Sequence, residues 1–283
     1  MTTYDCDTQY KELVKRILTE GEDRKDRTGT GTISVFGGQM KFDLRERFPL
    51  VQCKETRYKV AFLEMLFFLR GEGNTKYLNE NGCKLWDAWA EEGGNLGPVY
   101  GVNWRRWKQW YKVEGYNGDY YTYNGIDQVT EAVQGILLNP HGRRHIVTAW
   151  NVGELDEMAL PPCHWAHQLY ATNDGHLDMM VFQRSWDVGL GNPFNIAQYA
   201  LLQHLYSRAT GRKPRYLIYQ YGDAHLYKDH VEVMKEVVER PPIHDDAQVV
   251  FHTDNTDIDG YKPEDFEIVG YKHHAFVKLP VSV

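Results

Sequence analysis

The chain has 283 residues, 42% of them hydrophobic and 25% charged, which is ordinary for a globular protein with a substantial core. Its formal net charge of -7 argues against a nucleic-acid coat or a membrane-surface protein, because both need a basic surface, so no DNA or membrane partner is expected. No apolar run is long enough to span a bilayer, and Met1 to Lys15 lacks the basic-then-apolar plan of a signal peptide, which points to a cytoplasmic protein.

Tyr4 to Gly21 reads as an amphipathic helix, with Tyr10, Leu13, Val14 and Ile17 on one stripe and a glycine to stop it. The run DRTGTGT follows, placing Arg27 in a glycine and threonine turn before an alternating strand; glycines let such a loop track an anion closely. Cys6, Cys53, Cys83 and Cys163 are scattered without a CxxC pair, and the histidines fit no ligand spacing, so neither a disulfide framework nor a metal site is expected.

Tyr58 to Arg70 is a strongly apolar helix in which Val60, Leu63, Glu64 and Phe67 share a face. A carboxylate on a buried stripe must be paired, hydrated or protonated, so the pKa of Glu64 is expected to rise. Trp86 and Trp89, three apart, suit one wall of a flat pocket as well as they suit a core. Trp107 to Gly125 reads as a surface hairpin with no assigned function. Ile126 to Leu138 is a helix, and Arg143 with Arg144 precedes the strand HIVTAW.

In LPPCHWAHQ, Leu160 to Gln168, two prolines stiffen the approach to Cys163, as presentation of a nucleophile requires. Asn173-Asp174-Gly175 joins this stretch to FQRSWDVGLGNPFN as a hairpin. If Asp174 and Gly175 are the two loop residues, Cys163 lies opposite Trp186 and diagonal to Arg184. An arginine at that distance favours the reactive thiolate. Pro193 opens a long helix running through Tyr206 and stopped at Gly211, with Asn195 in its first turn. Arg215 to Gln220 is a strand leading to YGDAHLYKDH and another helix. No linker, repeat or low-complexity segment divides the chain, so residues 1–283 read as one domain.

From about Tyr10 to Val283 these blocks stand in the order found in the thymidylate synthase family, which the chain resembles: DRTGTGT, the Glu64 helix, LWDAWA with GPVYG, RRHIVTAWN, LPPCH, QRSWDVGLGNPFN, GDAHLY and the terminal PVSV. The resemblance implies an α/β (α+β) fold with a large mixed sheet flanked by helices, dimerising through sheet faces. It implies that Cys163 adds to C6 of deoxyuridylate (dUMP). It places Arg27, Arg184 and Ser185 on the phosphate, with Arg143 and Arg144 reaching it from the other subunit. Asn195 would read the uracil edge, and His225 and Tyr227 would hold the sugar. Glu64, Tyr100, His164 and Asp187 would move protons and help bind folate, with Trp86, Trp89, Leu190, Gly191, Phe194 and Val283 also at the folate. The reaction implied is methyl transfer to dUMP from 5,10-methylenetetrahydrofolate, without a metal.

The chemistry of these groups suits that reaction. Thiolate addition at C6 makes C5 nucleophilic, which splits one hard step into easier ones. Planar arginines match phosphate oxygens in pairs. The chain departs from the family's usual pattern at Trp165, Ala166 and His167, at Asn192 and Gln198, and at Glu55, where a basic residue is usual after Lys54. The first of these departures motivates an alternative, a dUMP hydroxymethylase in which water quenches the same methylene intermediate. A non-catalytic nucleotide- or RNA-binding regulator is a third reading, opposed by the acidic balance and the intact nucleophile.

Overall fold

The structure, a computed structural model, describes residues 4–113 and 120–282. Its strands are β1 (Glu22–Arg24), β2 (Thr32–Asp43), β3 (Trp107–Val113), β4 (Tyr120–Ile126), β5 (Ile146–Thr148), β6 (His164–Ala171), β7 (His176–Asp187), β8 (Lys213–Tyr227), β9 (Gln248–Phe251) and β10 (Phe266–Val269). The helices are α1 (Cys6–Glu20), α2 (Tyr58–Leu69), α3 (Lys76–Glu80), α4 (Tyr100–Arg106), α5 (Gln128–Leu138), α6 (Gly191–Ala209) and α7 (Val231–Val238). One sheet runs in the order β1-β2-β8-β7-β6-β5, antiparallel except for the β7/β8 pair. That parallel pair needs a crossover, which α6 supplies. The chain is therefore a mixed α/β protein built on a large mixed sheet. Strands β3 and β4 pair as the expected hairpin, whose centre lies outside the described residues.

Helix α1 forms where expected, capped by the Asp5 carboxylate on the Thr8 amide at 2.7 Å, and buries the stripe of Tyr10, Leu13, Val14 and Ile17. Helix α2 differs from the reading of a single buried face. Ala61 to Leu69 are all buried while Val60 is only partly so, because α2 is enclosed by α6, α4 and α3. A helix apolar on every side needs such enclosure, and it takes Glu64 inside with it.

The turn between β6 and β7 corrects the expected register. Thr172 and His176 close it, with the Thr172 amide donating to the His176 carbonyl at 2.9 Å, so Asn173, Asp174 and Gly175 form a three-residue loop. Gly175 takes φ +84°, which glycine accepts without strain. A further irregularity between His164 and Ala166 shifts the pairing again. Cys163 therefore lies opposite Arg184, whose amide donates to the Cys163 carbonyl at 2.8 Å, and not opposite Trp186.

Strand β8 is longer than Arg215 to Gln220 because β2 and β7 pair with it on both sides as far as His225 and beyond. Helix α6 begins at Gly191, two residues before Pro193, because the Asp187 carboxylate accepts the amides of Gly189 (2.9 Å) and Leu190 (3.1 Å) and turns the chain early.

Gly101 sets the distance between α2 and α4. A Cβ there would lie 2.3 Å from the Phe68 carbonyl oxygen and 2.8 Å from its Cα. Gly101→Ala is expected to lower stability by about 1–3 kcal/mol, the usual cost of overpacking. Urea unfolding measures this, and an unchanged midpoint would show that the helices do not meet so closely.

Candidate active site

The functional candidates converge at one end of the sheet. The carboxyl ends of β7 and β8, the start of β6, the loop leading into β2 and the amino end of α6 meet there. Carboxyl ends of parallel strands beside a helix amino terminus are a favoured place for an anionic ligand.

Cys163 stands immediately before β6 and is half-buried. Its amide donates to the Tyr100 hydroxyl at 2.8 Å, and Tyr100 is stacked between Phe68 (centroids 4.7 Å) and His164 (4.3 Å). Arg184 is tied back to the same stretch, its Nε donating to the Pro162 carbonyl at 2.8 Å and its Nη2 to Pro161 at 2.9 Å. Burial pushes the Cys163 thiol above its ordinary pKa, outweighing Arg184, Tyr100 and Arg27, which pull it down. The expected influence of Arg184 is present, but enclosure keeps the unliganded thiol protonated. Burial also lowers His164 to about 3, so it stays neutral; its Nδ1 lies 2.8 Å from the Tyr199 hydroxyl.

Glu64 heads a chain of polar groups. Trp86 Nε1 donates to Glu64 Oε1 at 2.5 Å, and Gln198 Nε2 donates to Glu64 Oε2. Gln198 Oε1 accepts from Asn195 Nδ2 at 3.0 Å, and Asn195 Oδ1 accepts from Trp186 Nε1 at 3.1 Å. Desolvation raises the Glu64 carboxyl to about 7, against the two donors that favour its charged form. The group is thereby poised to hold or release a proton near neutrality.

Other candidates surround this centre. His225 Nδ1 lies 2.9 Å from Asp223 Oδ1, and Tyr227 meets the His225 ring edge-on at 5.4 Å. Ser185, paired with Asp223 across the parallel strands, is half-buried. Arg27 is exposed, yet its charge reaches both Cys163 and Tyr227. Leu190, Gly191 and Phe194 are half-buried around the start of α6. Trp86 and Trp89 meet edge to face at 65°, so they form no single flat wall, and Trp86 spends its N–H on Glu64.

Arg143 and Arg144 are exposed ahead of β5, whose first residue, Ile146, pairs with Gln168. Gln168 is five residues along the strand from Cys163, about 17 Å at strand rise, so one chain does not bring these arginines to the cluster. Val283 lies outside the described residues.

Gln198 and Trp186 are members of the site that the sequence reading did not assign. Gln198 carries a visible signal, a polar residue one turn after Asn195 and among the apolar residues Ile196, Ala197, Tyr199 and Ala200, which places both on one face.

The raised carboxyl of Glu64 has a consequence for stability. The fold favours its protonated form, so the stability it contributes is full below the ordinary glutamate range near 4.5 and is lost as pH rises through about 7. Relative to Glu64→Gln, the unsubstituted protein is expected to lose about 3 kcal/mol across that window. Urea unfolding of both proteins from pH 4.5 to 8.5 measures the difference, and parallel curves would refute the assignment.

Comparison with known proteins agrees with this geometry. The family model described as "Thymidylate synthase" matches residues 8–283. A curated thymidylate synthase from Corynebacterium aurimucosum is 44% identical over 277 residues, covering 98% of each chain. The match spans the cluster around Cys163, Glu64 and Asn195 together with the sheet that carries it, and the chain belongs to the thymidylate synthase family.

Proposed function

We propose that the chain is an enzyme that methylates dUMP to dTMP, taking both the carbon and the hydride from 5,10-methylenetetrahydrofolate and leaving dihydrofolate. The observation that carries this reading is the juxtaposition of Cys163, Arg184 and the Glu64–Gln198–Asn195 chain at one end of the sheet. In this scheme Cys163 adds to C6 of the pyrimidine. Its thiol is raised by burial in the unliganded protein, so deprotonation accompanies nucleotide binding, aided by Arg184 and the Tyr100 hydroxyl.

Arg27, Arg184 and Ser185 hold the phosphate, while His225 and Tyr227 hold the sugar hydroxyl. Asn195 reads the uracil edge. Glu64, with a pKa near neutrality, passes protons at O4 and C5, and Tyr100, neutral His164 and Asp187 complete that network. Trp86, Trp89, Asp187, Leu190, Gly191, Phe194 and Val283 form the folate side. The catalytic unit is a single domain over residues 1–283, working in the cytoplasm without a metal. Among the described residues, no helix is long and apolar enough to cross a membrane.

The unit pairs with a second copy through the sheet face turned away from the helices. Phe36, Trp165 and Tyr170 are exposed, and Trp165 and Phe182 lie 5.6 Å apart across β6 and β7. A partner on this face would cover that apolar surface and bring its Arg143 and Arg144 toward the phosphate.

The hydroxymethylase alternative rested on Trp165, Ala166 and His167. Trp165 turns outward onto Phe182, Ala166 is buried, and His167 is fully enclosed with Nε2 on the Tyr206 hydroxyl at 3.1 Å. These placements remove its motivation, and the 44% identical relative is a synthase.

Incubation with dUMP and methylenetetrahydrofolate is expected to yield dihydrofolate, seen by absorbance, together with a methylated nucleotide, seen by mass spectrometry. Cys163→Ser should lower turnover by about a thousandfold or more. A hydroxymethyl product, or turnover without dihydrofolate, would contradict the reading.

A further inference from the structure

We propose that Gln198 is a positioning residue that locks the Asn195 amide in one orientation and thereby makes the site select a uracil over a cytosine nucleotide. This deepens, and rests on, the nucleotide reading above. Gln198 is fully buried in α6 and bridges two groups of opposite demand. Its Oε1 accepts from Asn195 Nδ2 at 3.0 Å, and its Nε2 donates to Glu64 Oε2.

The direction of every bond in this chain follows from its two ends. The Trp186 indole, 3.1 Å from Asn195 Oδ1, has only a donor, so Asn195 must turn its oxygen toward it. In its ionised form, held above pH about 7, the Glu64 carboxylate takes a donor on each oxygen, from Trp86 and from Gln198, so Gln198 turns its NH2 toward Glu64 and its oxygen toward Asn195. Flipping Asn195 would set its NH2 against the indole N–H and its oxygen against the Gln198 oxygen. Flipping Gln198 to compensate would set that oxygen against the ionised Glu64 carboxylate. Each such mismatch strands a buried polar group.

So fixed, Asn195 has one N–H and one oxygen lone pair left for a ligand. A uracil edge presents a carbonyl acceptor at C4 and an N3–H donor, which match. Cytosine presents an amino donor at C4 and a bare N3, which do not match. Without Gln198 only the indole opposes the flip, and the amide gains freedom to meet cytosine.

The test measures binding of dUMP and dCMP separately, by calorimetry at about pH 8.5 where Glu64 is ionised, to the full-length protein and to Gln198→Leu and Gln198→Met, with melting curves showing that each variant is folded. The dUMP-to-dCMP affinity ratio is expected to fall about tenfold or more in both variants. A space-filling role for Gln198 would weaken both ligands together and leave the ratio intact. An unchanged ratio in a folded variant overturns the proposal.

If neither variant folds, side-chain amide exchange of Asn195 and Gln198 in the unsubstituted protein decides the question. Slow exchange supports the lock, and solvent-fast exchange refutes it. An unsubstituted protein that binds neither nucleotide overturns the nucleotide reading itself, whereas one that binds both equally overturns only the role of Gln198.

Discussion

The pairing of β6 with β7 is the constraint on which the site depends. Had the hairpin closed with a two-residue loop and a regular ladder, Cys163 would face Trp186. The three-residue turn and the irregularity between His164 and Ala166 bring it opposite Arg184 instead. Arg184 then binds back to the carbonyls of Pro161 and Pro162, so the guanidinium and the cysteine are held by one short stretch of chain. The same irregularity sends His164 inward to Tyr100 and Tyr199 and Trp165 outward to Phe182. A bulge that re-aims side chains beside a reactive group is a recurring use of such irregularities.

The second constraint is the enclosure of α2. Packing α6, α4 and α3 around it removes Glu64 from water and raises its carboxyl to about 7. The protein meets the cost of burying that group with two donors, Trp86 and Gln198. Trp86 is thus more than a wall: its indole ties the helix carrying the acid to the stretch that lies between α3 and α4. The acid, the Asn195 amide and the core are one packed unit, so a change at any member is felt at the others.

Much of this was legible in the sequence. The stripe on α1, the prolines before Cys163, the buried carboxylate at Glu64 and the proximity of Arg184 follow from periodicity and turn chemistry. The differences are physical in origin. Alternation specifies which face a strand buries but not where a bulge inserts, so it predicts Trp186 opposite Cys163, two residues from the Arg184 that stands there. The length of β8 depends on partners on both sides, which local propensity does not contain. The donors on Glu64 were missed because an indole N–H and an amide from distant segments meet only after the helices pack. Arg143 and Arg144 lie far along the strand from Cys163, so strand geometry within one chain does not bring them to the cluster.

All these arrangements serve one claim, that Cys163 forms a bond to the pyrimidine during turnover. Denaturing the protein in acid during reaction with dUMP and methylenetetrahydrofolate, then mapping its peptides by mass spectrometry, tests that claim directly. The nucleotide mass is expected on the peptide containing Cys163. Steady turnover with no adduct on that peptide, or with the adduct on another residue, would contradict it.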